Sequence, residues 1–209
     1  MQSKIFPMIR KETEKHRLYL MQIWDEYKKD ALKHLRDIVR LDFPDTYQIL
    51  VVDPKLDTVY YDLSHEEQNI VWGRKTDKSS PMATVISILY AIVRYRIGHR
   101  FMMNKEIVQA VLELAIQNEL YTRMLNHSNY LVGDSSLSFL KKQIYPFWLM
   151  YLGCEREDFP TYMMRDKIVF DIDKYPVEAN LKKLDLIGFI DFCVRNQKHL
   201  IRVPALEII

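Results

Sequence analysis

The chain has 209 residues, 48% apolar and 28% charged, with a formal net charge of +2 at pH 7. This is the composition of a globular chain that can bury a sizeable core, and so small a charge excludes a strong overall pull toward nucleic acid or membrane. The five glycines (Gly73, Gly98, Gly133, Gly153 and Gly188) stand no closer than 20 positions apart, so the clustered-glycine phosphate loops and the serine-hydrolase elbow are excluded too.

The charge is unevenly spread. Residues 1–40 hold ten basic and six acidic side chains, residues 41–72 one and seven, and residues 73–105 seven and one. A chain polarised in this way pairs its own segments or presents opposite patches to neighbouring copies. The opening MQSKIFPMIRKETEKHR has no apolar signal-peptide core. The longest apolar stretch, Met82 to Val93, is too short to span a bilayer. Cys154 and Cys193 lie beside apolar residues and read as two reduced, half-buried thiols. These features together predict a cytoplasmic chain, a virion component being one form of that reading.

In chain order, Pro7 marks the start of a helix over 8–39, a candidate interaction arm. Leu20, Trp24, Ala31, Leu35 and Ile38 form its apolar stripe. Two strands, Tyr47 to Val52 and Thr58 to Leu63, flank the turn Asp53-Pro-Lys-Leu-Asp57 and predict a β-hairpin. Ser64 and Glu67 have capping-box spacing, which predicts a short helix ending at Gly73. Ser80-Pro81 starts a helix to Ile97 that is apolar on nearly every side and should be the central core helix.

Further helices are expected over 105–125, with the stripe Ile107, Val111, Leu114, Tyr121 and Leu125, and over 135–152, kinked at Pro146 and closed by Gly153. Alternation at Ile168–Asp173 predicts a strand. A helix over 177–195 and a strand over 199–203 follow. The fold class read from this order is α+β, mainly α. A helical core surrounds a buried central helix, with a small antiparallel hairpin or sheet on one side, in a single domain over 1–209.

Candidate chemistry is sparse. Asp45 and Asp53 with Lys55 look like a PD-(D/E)xK nuclease signature, but one continuous strand between the two carboxylates would hold them roughly 26 Å apart. Two ligands of one metal lie within a few ångströms of each other. Asp171 and Asp173 share a strand face, which reads as solvated. The six histidines show no zinc spacing, and no cofactor or metal is expected.

The segment Arg94-Tyr-Arg-Ile-Gly-His99 has the R-x4-H spacing and resembles the ribonuclease motif of HEPN domains. The resemblance covers six residues. It implies a helical fold in which Arg94 and His99 cooperate at a dimer cleft to cut RNA. The competing reading is a set of cations complementing a helix C-terminus.

The cations Arg74, Lys75, Lys78, Arg94, Arg96, Arg100 and Lys105, interleaved with Tyr95 and Phe101, make nucleic acid a second expected partner class. Their competing partner is the acidic hairpin segment just upstream. Ile144 to Met164 packs six aromatics and three methionines into 21 residues. Tyr145, Phe147, Trp148, Tyr151, Phe159, Tyr162, Met163 and Met164 are therefore the expected protein interface, the last four in a loop. Its bland alternative is plain core. The leading functional expectation is a non-enzymatic assembly protein, a subunit of a homo-oligomer or larger complex. A nucleic-acid module and the HEPN-like RNase follow as alternatives.

Overall fold

A computed structural model describes residues 5–43, 48–62, 69–75, 80–98, 100–125, 133–165 and 180–200. Helix α1 (Ile5–Val39) buries Leu20, Ile23, Ala31, Leu35 and Ile38 along one side. Its first fifteen residues contribute no buried side chain. Arg40 ends it with φ 53°, a left-handed conformation costly for a residue with a Cβ. The guanidinium offsets that cost. It donates to the carbonyls of Lys182 (2.7 Å), Leu184 (3.0 Å) and Tyr151 (2.8 Å), and its carbon lies 4.4 Å from the centre of the Tyr151 ring. Tyr151 returns the contact by donating its hydroxyl to the Ile38 carbonyl at 2.5 Å.

The small sheet differs from the expected hairpin. Strands β1 (Gln48–Val51), β2 (Val59–Asp62) and β3 (Asn69–Trp72) lie in the order β1-β3-β2. β1 pairs with β3 in parallel, Gln48 opposite Asn69. β2 pairs with β3 antiparallel, Val59 opposite Trp72. β1 and β2 are therefore not partners. The link between them carries a 3-10 turn (Pro54–Leu56) capped by Asp53, with Asp57 left-handed at φ 44°.

That link crosses the end of β3 at Gly73, whose N–H donates to the Thr58 carbonyl at 2.7 Å. A Cβ on Gly73 would lie 2.8 Å from Val52 Cγ2 and 3.2 Å from the Asp53 carbonyl oxygen, so the crossing needs glycine. The helix expected before Gly73 is strand β3 instead. Ile70, Val71 and Trp72 are all buried, the pattern of a central strand, and this outweighs the upstream capping signal. Residues 64–67 themselves lie outside the described residues, as do 168–173.

Helix α2 (Pro81–Gly98) is the central helix, packed against α1 and against the long helix that follows it. That long helix is not uniform. α3 (Lys105–Leu112) passes directly into a π-helix (Glu113–Leu120) and then α4 (Tyr121–Leu125). The i→i+5 bonding places more residues in each turn than the α-helix does, so the apolar stripe rotates. Leu112, Ala115, Ile116 and Leu120 are buried, whereas Leu125 is exposed.

α5 (Ser138–Leu152) runs through Pro146 and closes at Gly153, φ 87°. α6 (Phe159–Arg165) replaces the expected loop. α7 (Leu186–Arg195) starts later than expected, because Leu184 and Asp185 are extended and Asp185 accepts from the Gly188 N–H as its N-cap. α8 (Gln197–Leu200) stands where the strand from 199 was expected. The chain is thus mainly helical with a small sheet. Among the described residues, no helix is long and apolar enough to cross a membrane.

Candidate functional site

Two short segments build the walls of a surface groove of about 570 Å³. The first follows α2. After Gly98 the chain turns through a 3-10 turn (Met102–Asn104) into α3, and Met102 to Ile107 line one wall. The second precedes α5. Asp134 accepts from the Ser136 N–H (2.9 Å) and hydroxyl (2.7 Å), which starts the 3-10 turn Ser135–Leu137 and sets Ser136, Leu137, Phe139 and Leu140 along the other wall. Gln197 of α8 closes one end and accepts from Asn104 Nδ2 at 3.3 Å. Ile107 and Leu137 are buried at the base. Met103 is 94% exposed, Met102 66% and Phe139 44%, so the groove carries a large apolar rim.

Further along the elements that follow these segments, a buried ion pair links α5 to the π-helix. Lys141 of α5 donates to Glu113 Oε2 at 2.7 Å, with side chains 1% and 3% exposed. The same oxygen accepts from the Asp134 N–H at 3.1 Å, and Oε1 accepts from Gln109 Nε2 at 3.1 Å. Asn118 Nδ2 donates to the Glu113 carbonyl at 2.7 Å, five residues back along the π-helix. Gly133, at φ 114°, lies against this carboxylate. A Cβ there would collide with Glu113 Oε2 and stand 2.7 Å from Gln117 Oε1. The geometry is that of a strut. Lys141 and the Asp134 N–H tie the start of α5 to the junction of α3 and the π-helix, while Gln109 braces the carboxylate from within α3.

The expected aromatic interface lies elsewhere. Tyr145, Phe147, Trp148, Tyr151 and Phe159 are buried in the chain's own core. Trp148 stacks on Tyr151 (ring centres 5.0 Å apart) and meets Phe189 of α7 edge-on at 5.6 Å. Tyr162 is half-buried against the same core. Met163 and Met164 belong to α6, and their side chains lie outside the described set. The structure therefore joins α5 to α7 through these aromatics.

The basic residues are split. Arg74 is exposed 3.6 Å from Asp57, a surface pair. Lys75, Arg94 and Arg100 are exposed, Arg96 lies over the Phe43 ring at 5.4 Å, and Lys105 lines the groove. Lys78, His99, Asp171 and Asp173 lie outside the described residues, so the Arg94–His99 pairing has no geometry here. Neither cysteine forms a disulfide among the described residues, and burial pushes the Cys193 thiol far above its ordinary pKa.

Sequence reasoning missed the groove, the strut and Arg40. Met102 and Met103 are too short a run to stand out, and Glu113 and Lys141 are 28 residues apart without a motif. Compared with protein-family models, with curated proteins and with solved structures, the chain has no significant match.

Proposed function

We propose that the chain is a non-enzymatic assembly protein that acts by binding further copies of itself. The observation that supports this reading is the groove rim: three large apolar side chains, Met102, Met103 and Phe139, stand in solvent around a concave base. Monomeric surfaces seldom keep such bulk exposed together, and methionine adapts to irregular partners. The polarised charge along the chain supports contact between copies by the same logic. The absence of glycine-rich phosphate loops and of a nucleophile elbow from the sequence leaves assembly ahead of catalysis.

Sedimentation velocity over a range of concentrations tests the reading. The wild-type chain is expected to self-associate, and Met103→Asp to weaken that association at least tenfold while the circular dichroism spectrum stays unchanged. A chain that stays monomeric at high concentration, with or without residues 201–209, overturns the proposal.

A second reading rests on Arg94, Arg96 and Arg100, which all stand exposed at the C-terminal end of α2 and just beyond it. As a phosphate-binding cluster they would make the chain a nucleic-acid module. Retention on a heparin column should then disappear when Arg96 and Arg100 are both changed to Glu, and unchanged retention counts against it.

A further inference from the structure

The assembly reading leaves open what fills the groove, and a second surface of the same chain supplies a candidate. The buried stripe of α1 begins only at Leu20, and after a polar interval at Thr13, His16 and Arg17 apolar residues return on the same side at Ile9, Phe6 and Ile5. Ile5 precedes buried Ile23 by 18 residues, about five turns, and so faces the same side. Phe6 precedes buried Leu35 by 29 residues, about eight turns, with the same result. Ile5 is nevertheless 59% exposed and Phe6 79%. Apolar bulk on the packing side of α1 thus recurs beyond the body that covers the rest of that side. In its first fifteen residues α1 touches the sheet through Glu12, which accepts from Lys55 Nζ at 2.8 Å, and through half-buried His16 beside Arg74, but no side chain is fully buried.

Charge agrees with shape. The two acidic residues near this end are engaged, Glu12 with Lys55 and Glu14 with Arg17. Arg10 and Lys11 stand exposed beside them. On the groove rim Glu106 stands exposed with Lys105 next to it, so the rim is neutral overall and offers one carboxylate. A contact that is apolar at its centre and steered by one charge pair at its edge follows from these residues.

We propose, resting on the assembly reading, that the groove of one copy receives the N-terminal end of α1 from another, with Phe6 and Ile5 against Met103, Phe139 and Ile107 and with Arg10 facing Glu106. Knob and groove are different surfaces, so the contact is head-to-tail, and copies add until a ring closes or a filament grows.

A mixing experiment on the full chain tests it. Phe6→Asp destroys the knob and keeps the groove; Met103→Asp does the reverse. Both sites are highly exposed, so both variants should fold, and circular dichroism checks that they do. In sedimentation velocity each variant alone is expected to be monomeric at concentrations where the wild type is assembled. Their equimolar mixture should form a one-to-one dimer that grows no further, because only one intact knob and one intact groove remain to meet. A mixture that stays monomeric while the wild type assembles overturns the head-to-tail contact and leaves assembly standing with a self-matched interface. Variants that each assemble like the wild type move the interface to another surface and overturn it as well. A monomeric wild type that assembles once residues 201–209 are removed assigns the groove to the chain's own C-terminal segment instead. A wild type that is monomeric with and without that segment defeats the assembly reading itself.

Discussion

Glu113 and Lys141 hold opposite charges where water does not reach. Removing two such charges from water costs several kcal/mol per ion, and their attraction repays it only because Gln109 and the Asp134 N–H complete the carboxylate's bonding. Breaking the pair should therefore cost more than replacing it. Lys141→Met leaves an uncompensated buried carboxylate and is expected to destabilise the fold by about 3–5 kcal/mol in urea denaturation. The double variant Glu113→Gln with Lys141→Met should recover most of that loss, since Gln still accepts from the Asp134 N–H. A double variant as unstable as the single one would show that the pair is not the unit of stability. At Gly133 the positive φ and the adjacent carboxylate act together. Gly133→Ala should lower stability by about 1–3 kcal/mol, and more if Glu113 cannot move aside. None of this was legible in the sequence. A lysine 28 residues from a glutamate carries no local signal, and only the packing of α5 against α3 brings them together.

Between elements, the contact of α1 with the sheet turns on His16. Its Nε2 is buried without a hydrogen-bond partner among the described residues, and burial lowers its pKa below 6.5, partly opposed by a hydrogen bond to the Arg74 backbone. The unfolded chain then binds the proton first. Stability from this site is complete above pH 6.5 and falls as the pH drops through the lowered folded value. In thermal melts between pH 7.5 and 5, His16→Gln should lose less stability than the wild type; parallel losses would remove His16 from the account. The α5–α7 contact gives a second check. Trp148 is fully buried between aromatic rings, so Trp148→Ala should cost about 3–5 kcal/mol of stability. The helical spacing of the 144–152 segment was visible in the sequence. Its destination was not, because aromatic and methionine residues are equally suited to a core and to an interface.

Across the whole molecule, the long periodic elements were the legible part. α1, α2 and α5 follow from stripes and caps, since α2 is apolar all round and must sit at the centre. Two kinds of feature were not legible. The sheet order was hidden because Asp53–Asp57 fits a hairpin turn as readily as it fits a link over β3, and the choice depends on Asn69–Trp72 entering between the flanking strands. The π-helix was hidden because its first turns carry the same apolar spacing as α3, and only Tyr121 and Leu125 fall out of register. The candidate groove belongs to neither kind. It is assembled from two short turns and one residue of α8, each unremarkable in sequence.

Arg40 sets an order of events in time. Its carbonyl partners on Tyr151, Lys182 and Leu184 lie 111 to 144 residues further along the chain. During synthesis α1 emerges well before these partners, and its end stays unfinished until residues 182–184 have left the ribosome. A contact of such sequence separation slows closure of the fold and leaves the C-terminal end of α1 unsecured in the nascent chain. Pulse-labelled chains ended before residue 180 should therefore be cut by protease within α1, whereas chains that include α7 should resist.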